Sequence, residues 1–219
     1  MGSYRYGLVL LLLLVTFVFL AAGPTGTWVP FVSAILQGAT LLVALLASSV
    51  GRRLWRFAVV LVAIALVASL ALLIFGIDAS EGVTSGINAL LVGVAPFVIA
   101  GSLVRRRRID LRTVLGVMCI YVLLGMLCAF LFEAVGELSS GPFFAQTATA
   151  NVADYLYFSF TTLTTVGYGD LTAAHGLGRA FAMLEALTGQ LYLVTVVALV
   201  VSQLGRRGRT PDESAVDTP

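Results

Sequence analysis

Six long apolar runs, at about 6–22, 28–50, 54–76, 83–104, 113–135 and 178–204, leave this chain little choice of solvent. A helix that crosses a bilayer takes about 20 apolar residues, and each run is near or beyond that length. Hydrophobic residues make up 59% of the 219-residue sequence, charged residues only 11%, and the mean hydropathy is +1.03. A soluble domain of this size is not so apolar. In lipid the backbone must satisfy its own hydrogen bonds, which makes each run a helix. The expected fold class is therefore an all-α membrane protein with six transmembrane helices.

Charge gives the bundle a direction. All 13 basic residues are arginine. Counting six spans puts Arg5, Arg52, Arg53, Arg56, Arg105, Arg106, Arg107, Arg108, Arg112, Arg206, Arg207 and Arg209 at one face, with Arg179 alone elsewhere. The positive-inside rule makes that face cytoplasmic, with both termini inside and the chain a multi-pass protein of the plasma membrane. Asp78, Glu81, Glu133, Glu137 and Asp170 then lie on or near the outside. The net charge of +2 describes orientation and gives no case for a nucleic-acid partner. Arg5, a short apolar core and Leu20-Ala21-Ala22-Gly23 would also suit a cleaved signal peptide. A retained helix is the reading adopted; either way Trp28 begins outside and the later topology is the same.

Between the last two runs, residues 161–170 read Thr-Thr-Leu-Thr-Thr-Val-Gly-Tyr-Gly-Asp. Turning successive backbone carbonyls towards one axis needs dihedrals that most residues resist. Gly167 and Gly169, alternating with Val166 and Tyr168, permit positive φ at low cost. Rings of such carbonyls can replace the hydration shell of a potassium ion. Thr165 can add a hydroxyl oxygen at the inner end, while Val166 and Tyr168 pack behind. The plainer alternative is a glycine turn after an apolar helix, and the position between two spans argues against it. Upstream, Asn151 and Asp154 suit the N-terminal cap of a short helix running to about 164. The carboxyl end of that helix points inward, and its partial negative charge favours a cation. Tyr155, Tyr157, Phe158 and Phe160 supply an aromatic cuff.

Thr165-Val166-Gly167-Tyr168-Gly169-Asp170 resembles the filter signature of the tetrameric potassium-channel family, and Tyr157-Phe158-Ser159-Phe160-Thr161-Thr162 resembles its pore helix. Six specified residues at one spacing are far more specific than a lone glycine pattern. The resemblance covers 113–204, somewhat under half the chain, and implies a helix, pore loop and helix in a six-span member. The arginine-only, alanine- and leucine-rich composition points to a bacterial one. By that resemblance the potassium ions sit at Thr165, Val166, Gly167 and Tyr168, with Gly169 closing the filter. Asp170 braces it from outside, and Thr161, Thr162 and Tyr157 support it from behind. Gly189, ten residues beyond Arg179, takes the place of a gating hinge, and Gln190, Leu193, Val197, Val201 and Leu204 line the cavity and inner gate. Glycine weakens a helix by about 1 kcal/mol, so bending there is reasonable, but close helix packing is an equal rival explanation. The phase of that last helix comes from the resemblance, because the helix is apolar all round.

One filter strand is a quarter of a ring, so the family implies a homotetramer. The implied function is passive potassium conduction, with no cofactor beyond the transported ion and no enzymatic activity. No Ser-His-Asp arrangement, phosphate loop or metal cluster stands out in the sequence, and lone His175 makes no metal site. A non-conducting regulatory or assembly subunit is the alternative. A potassium transporter is a weaker one, since it would carry several pore loops in a longer chain. Steep voltage gating is not expected. It requires charge moving through the field, worth about 2.3 kcal/mol per charge per 100 mV. The family's voltage-sensing members carry an arginine ladder in the fourth helix, whereas run 83–104 holds none.

The chain thus divides into a four-helix region at 1–104, a basic linker at 105–112, a pore module at 113–204 and a short disordered tail at 205–219. Arg105, Arg106, Arg107 and Arg108 anchor topology and can attract anionic lipid headgroups. Cys119 and Cys128, about 13 Å apart along one helix, cannot bridge and serve as small apolar packers. Glu185 is the acid that needs an explanation. It lies well inside the last run, one turn before Gly189, where an isolated charge is costly. A hydrogen bond to hydroxyls of the preceding short helix, such as Thr161 or Thr162, is the expected relief.

Overall fold

Runs of leucine, valine and alanine leave the backbone one way to satisfy itself, and the computed structural model is all helix apart from one isolated bridge among the described residues. Those residues are 3–24, 26, 28–48, 51–75, 81–104, 111–139 and 141–198. The helices are α1 (Ser3–Ala21), α2 (Val29–Ser48), α3 (Arg52–Phe75), α4 (Glu81–Val104), α5 (Leu111–Leu138), α6 (Val152–Leu163) and α7 (Gly176–Leu191). A π-helical stretch, Tyr192–Val197, continues α7. Pro30 falls in the first turn of α2, where the missing N–H costs nothing, while Pro96 interrupts the interior of α4. Arg105, Arg106, Arg107, Arg108, Val201, Leu204, the linker's remainder to 110 and the 205–219 tail lie outside the described residues, as does the side chain of Val197.

Among the described residues four helices are long and apolar enough to cross a membrane, over Val29–Ser48, Arg52–Phe75, Gly86–Leu103 and Thr113–Leu138. α1 adds a shorter apolar stretch, Arg5–Ala21. α5 runs three residues past the predicted end at 135, to Leu138.

α1, α2 and α4 pack with α5 around one core that includes Leu13, Leu41, Leu91, Ile99, Leu123 and Met126. α3 stands outside this group against α2, burying only Ala58, Val62, Ala65 and Ser69. At one end of the bundle the Tyr6 hydroxyl lies 3.2 Å from Ser48 Oγ and 2.7 Å from Ser102 Oγ, and Arg5 Nη1 donates to the Leu46 carbonyl at 3.0 Å. The start of α1 and the ends of α2 and α4 therefore share a face, as alternating antiparallel helices require.

α1 also reaches α6. The rings of Phe17 and Phe160 approach to 4.7 Å between centroids. At its other end α6 is held in an aromatic cluster of Phe132, Phe143, Phe144, Tyr155 and Phe158. The loop after α5 pairs with the chain ahead of α7 through an antiparallel bridge between Phe144 and Ala173. Ala145 N donates to Thr172 O at 2.9 Å and Ala174 N to Phe143 O at 2.8 Å.

Candidate functional site

α6 is only 12 residues long, too short to hold itself together in isolation, and its ends explain its stability. Asn151 Oδ1 accepts from Ala153 N at 2.8 Å and Asp154 N at 3.2 Å, while Asn151 N donates to Asp154 Oδ2 at 2.9 Å. This is the reciprocal capping box that the Asn-x-x-Asp spacing predicts.

At the other end the chain reverses. Thr165 N donates to Thr162 O at 2.9 Å, and Val166 N and Gly167 N both donate to Thr161 O, at 2.9 and 3.1 Å. In a trans peptide the carbonyl of one residue points opposite to the N–H of the next. With these three amides turned onto α6, the carbonyls of Thr164, Thr165 and Val166 must point away from it. No backbone hydrogen bond among the described residues ends on a carbonyl from 165 to 169. Positive φ falls at alternate positions: 60° at Thr165, 51° at Gly167 and 80° at Gly169. Alternating handedness of this kind gathers successive peptide dipoles on one side of the chain. The sequence singled out the two glycines for this; Thr165 is a β-branched residue in the left-handed region, which costs about 1–2 kcal/mol and marks a strained segment.

The end of this segment farther from α6 in sequence is braced. Tyr157 Oη donates to Asp170 Oδ2 at 2.7 Å. Its ring stacks on Tyr168, 6.4 Å between centroids and 4° from parallel. The Asp170 carboxylate, by accepting this hydrogen bond, raises the Tyr157 phenol to about 12. A raised acid holds its proton longer in the fold, so this contact is fully present below the ordinary tyrosine range and is lost as pH rises through about 12.

Behind the segment lies a second polar junction. Ser159 Oγ is 2.7 Å from the Gly125 carbonyl oxygen on α5 and 2.5 Å from Glu185 Oε1 on α7. The hydroxyl that meets Glu185 is thus Ser159 and neither Thr161 nor Thr162. Thr161 Oγ1 donates instead to Phe158 O at 3.0 Å within α6, and Thr162 contributes its carbonyl. Leu156, Ser159 and Leu163 recur at three and four residues and all are buried, so Ser159 faces inward with them, a placement fixed by how α6 packs against α5 and α7.

Gly189 is buried against the carboxyl end of α6, where a Cβ would lie 2.2 Å from the Leu163 carbonyl oxygen. Tyr121 Oη donates to that same oxygen at 3.3 Å. Just beyond, Tyr192 Oη donates to Val117 O of α5 at 2.6 Å, at the start of the π-helical stretch. Gln190 and Leu193 are exposed, as are Val166, Tyr168, Phe181, Leu184 and Leu187. The reversing segment and one face of α7 therefore present a continuous surface that nothing in the single chain covers.

The family whose model is described as "Ion channel" matches residues 117–206. Over 84 residues the chain is 34% identical to potassium voltage-gated channel subfamily A member 5 of Homo sapiens, a stretch covering 36% of this chain and 14% of that protein. It is equally identical over 84 residues to subfamily A member 10 of Gallus gallus, covering 36% of this chain and 16% of that one. The chain thus spans only 14–16% of the length of these curated relatives. No solved structure gives a significant match. The family match begins within α5 and takes in α6, the reversing segment and α7, so it is this part of the chain that is similar to the ion-channel family and to these potassium channels.

Proposed function

We propose that four copies of this chain surround an axis and conduct potassium passively through a pore lined by the carbonyls of residues 165–169. The observation that carries this reading is the alternation of positive φ at Thr165, Gly167 and Gly169, with the 165–167 amides turned back onto α6. Oxygens so presented, free of internal partners, suit an ion that must exchange its water shell. The uncovered apolar face of α7 beside Val166 and Tyr168 supports assembly with further copies.

In this reading 113–204 is the pore module, α6 its pore helix, and the chain crosses the plasma membrane six times with both termini cytoplasmic. Tyr157 and Asp170 hold the filter from outside, and Ser159 and Glu185 tie its helix to the outer and inner helices. Gln190, Leu193, Val197, Val201 and Leu204 line the inner passage. Arg105, Arg106, Arg107 and Arg108 meet anionic lipid at the cytoplasmic surface. Voltage dependence is shallow, because the stretch 83–104 contains no arginine to carry gating charge.

Potassium and sodium flux through purified protein in liposomes tests the proposal. Gly167→Ala is the informative control, because a Cβ there has nothing within 4 Å in the chain while φ stays at +51°. Strain of about 1–2 kcal/mol in each of four filter strands should abolish selective potassium flux. Native protein that is tetrameric yet passes no potassium over a range of voltage and pH would overturn the proposal.

A further inference from the structure

Gln37 lies in the middle of α2, 3% exposed, and neither its Oε1 nor its Nε2 has a hydrogen-bond partner among the described residues. Such an amide in an apolar core is costly unless something answers it. Beside it is a small cavity where α1, α2, α4 and α5 meet, with about 10 Å³ open to the centre of a water molecule. That is close to the least space one water needs. The lining is apolar except for Gln37, Thr16 and Thr40.

Counting donors and acceptors identifies the occupant. Thr16 Oγ1 donates to Leu12 O and Thr40 Oγ1 to Leu36 O, both at 2.8 Å. Each hydroxyl has spent its proton along its own helix and keeps lone pairs to accept with. Gln37 offers two N–H donors and one carbonyl acceptor. The group that completes this set must be small and must both donate and accept. We infer that Gln37, Thr16 and Thr40 bind a single structural water at the junction of α1, α2, α4 and α5. The water accepts from Gln37 Nε2 and gives its two protons to acceptors among Gln37 Oε1, Thr16 Oγ1 and Thr40 Oγ1. Three bonds are the usual complement of a buried water. A bare cation is not suited, since an amide N–H pair faces the same space and no carboxylate lines it.

The water ties α1 to α2 at the place where both pack against α4 and α5. The inference is independent of the conduction proposal, because its readout is stability. The experiment is a thermodynamic cycle on the purified full-length protein, comparing the Thr16→Val/Thr40→Val pair in the native background and in a Gln37→Leu background. The own-helix hydroxyl bonds are lost equally in both backgrounds and cancel. A bound water makes the pair cost more when Gln37 is present, with an extra fall in Tm of about 2–4 °C. Equal falls in the two backgrounds overturn the site. Should the pair fail to fold, a density map of the native protein at water-resolving quality decides. A peak within hydrogen-bond reach of Gln37 Nε2 sustains the site, and a dry cavity removes it.

Discussion

α3 and α6 are positioned by opposite means. α3 has 24 residues and buries four of them, presenting Phe57, Val60, Ile64, Val67 and Ile74 outward. α6 has half the length, yet it is capped at its first turn, stacked on α1 and α5, bonded to α7 through Ser159, and tied at its end to the segment that follows. Side chains on α3 need only be apolar, because lipid accepts any of them. On α6 the side chains of Asp154, Tyr157, Phe158, Ser159 and Phe160 each meet a defined partner. Precision in this chain is concentrated where backbone oxygens must be held in place.

Substitutions can break or sharpen that contrast. The largest effect is expected from Gly189→Ala, which puts a Cβ at 2.2 Å from the Leu163 oxygen. Overpacking costs about 1–3 kcal/mol, so the Tm should fall sharply, and under the proposed function potassium flux should fall with it. A variant that melts normally but opens differently would favour the hinge reading of this glycine. Next comes Ser159→Ala, which leaves Glu185 and the Gly125 carbonyl without their shared hydroxyl, at about 1–3 kcal/mol. Thermal melting with parallel flux measurements should show both loss of stability and weakened selectivity, whereas isosteric Glu185→Gln should lose less than half as much. Asn151→Ala removes the capping box at the start of α6 for about 0.5–2 kcal/mol. Melting should report that loss while selectivity holds, since the cap lies at the far end of the helix from the reversing segment. The smallest effect belongs to Val67→Leu on α3, where Val67 is 67% exposed. Its expected change is within about 0.5 kcal/mol by denaturation. A larger loss would mean that a neighbouring subunit covers α3.

Much of this arrangement was legible because local chemistry spoke for it. The Asn151–Asp154 spacing announced the cap, and Gly167 and Gly169 announced the reversal. The helical class followed from apolar runs long enough to cross a bilayer. Other features needed tertiary information. Thr165 adopts positive φ because three amides downstream of α6 compete for its last carbonyls, and no residue preference foretells that. Ser159 wins Glu185 over Thr161 and Thr162 through helical phase relative to α5 and α7, and a helix apolar all round gives no phase of its own. The same uniformity hid the peripheral place of α3 and the π-helical turn after Leu191. Gly189 carried two meanings in sequence, and the nearness of Leu163 gives the packing one a concrete partner.

The bridge between Phe144 and Ala173 has a kinetic consequence. It closes the chain from 144 to 173 into a single modest loop, within which α6 and the reversing segment both lie. Closure entropy grows only slowly with length, and a loop this short is cheap to shut. Contacts of low sequence separation form early, before distant helices have found each other. The strained stretch around Thr165 therefore lies inside its own ring of chain, which local contacts can close without waiting for the more distant helices.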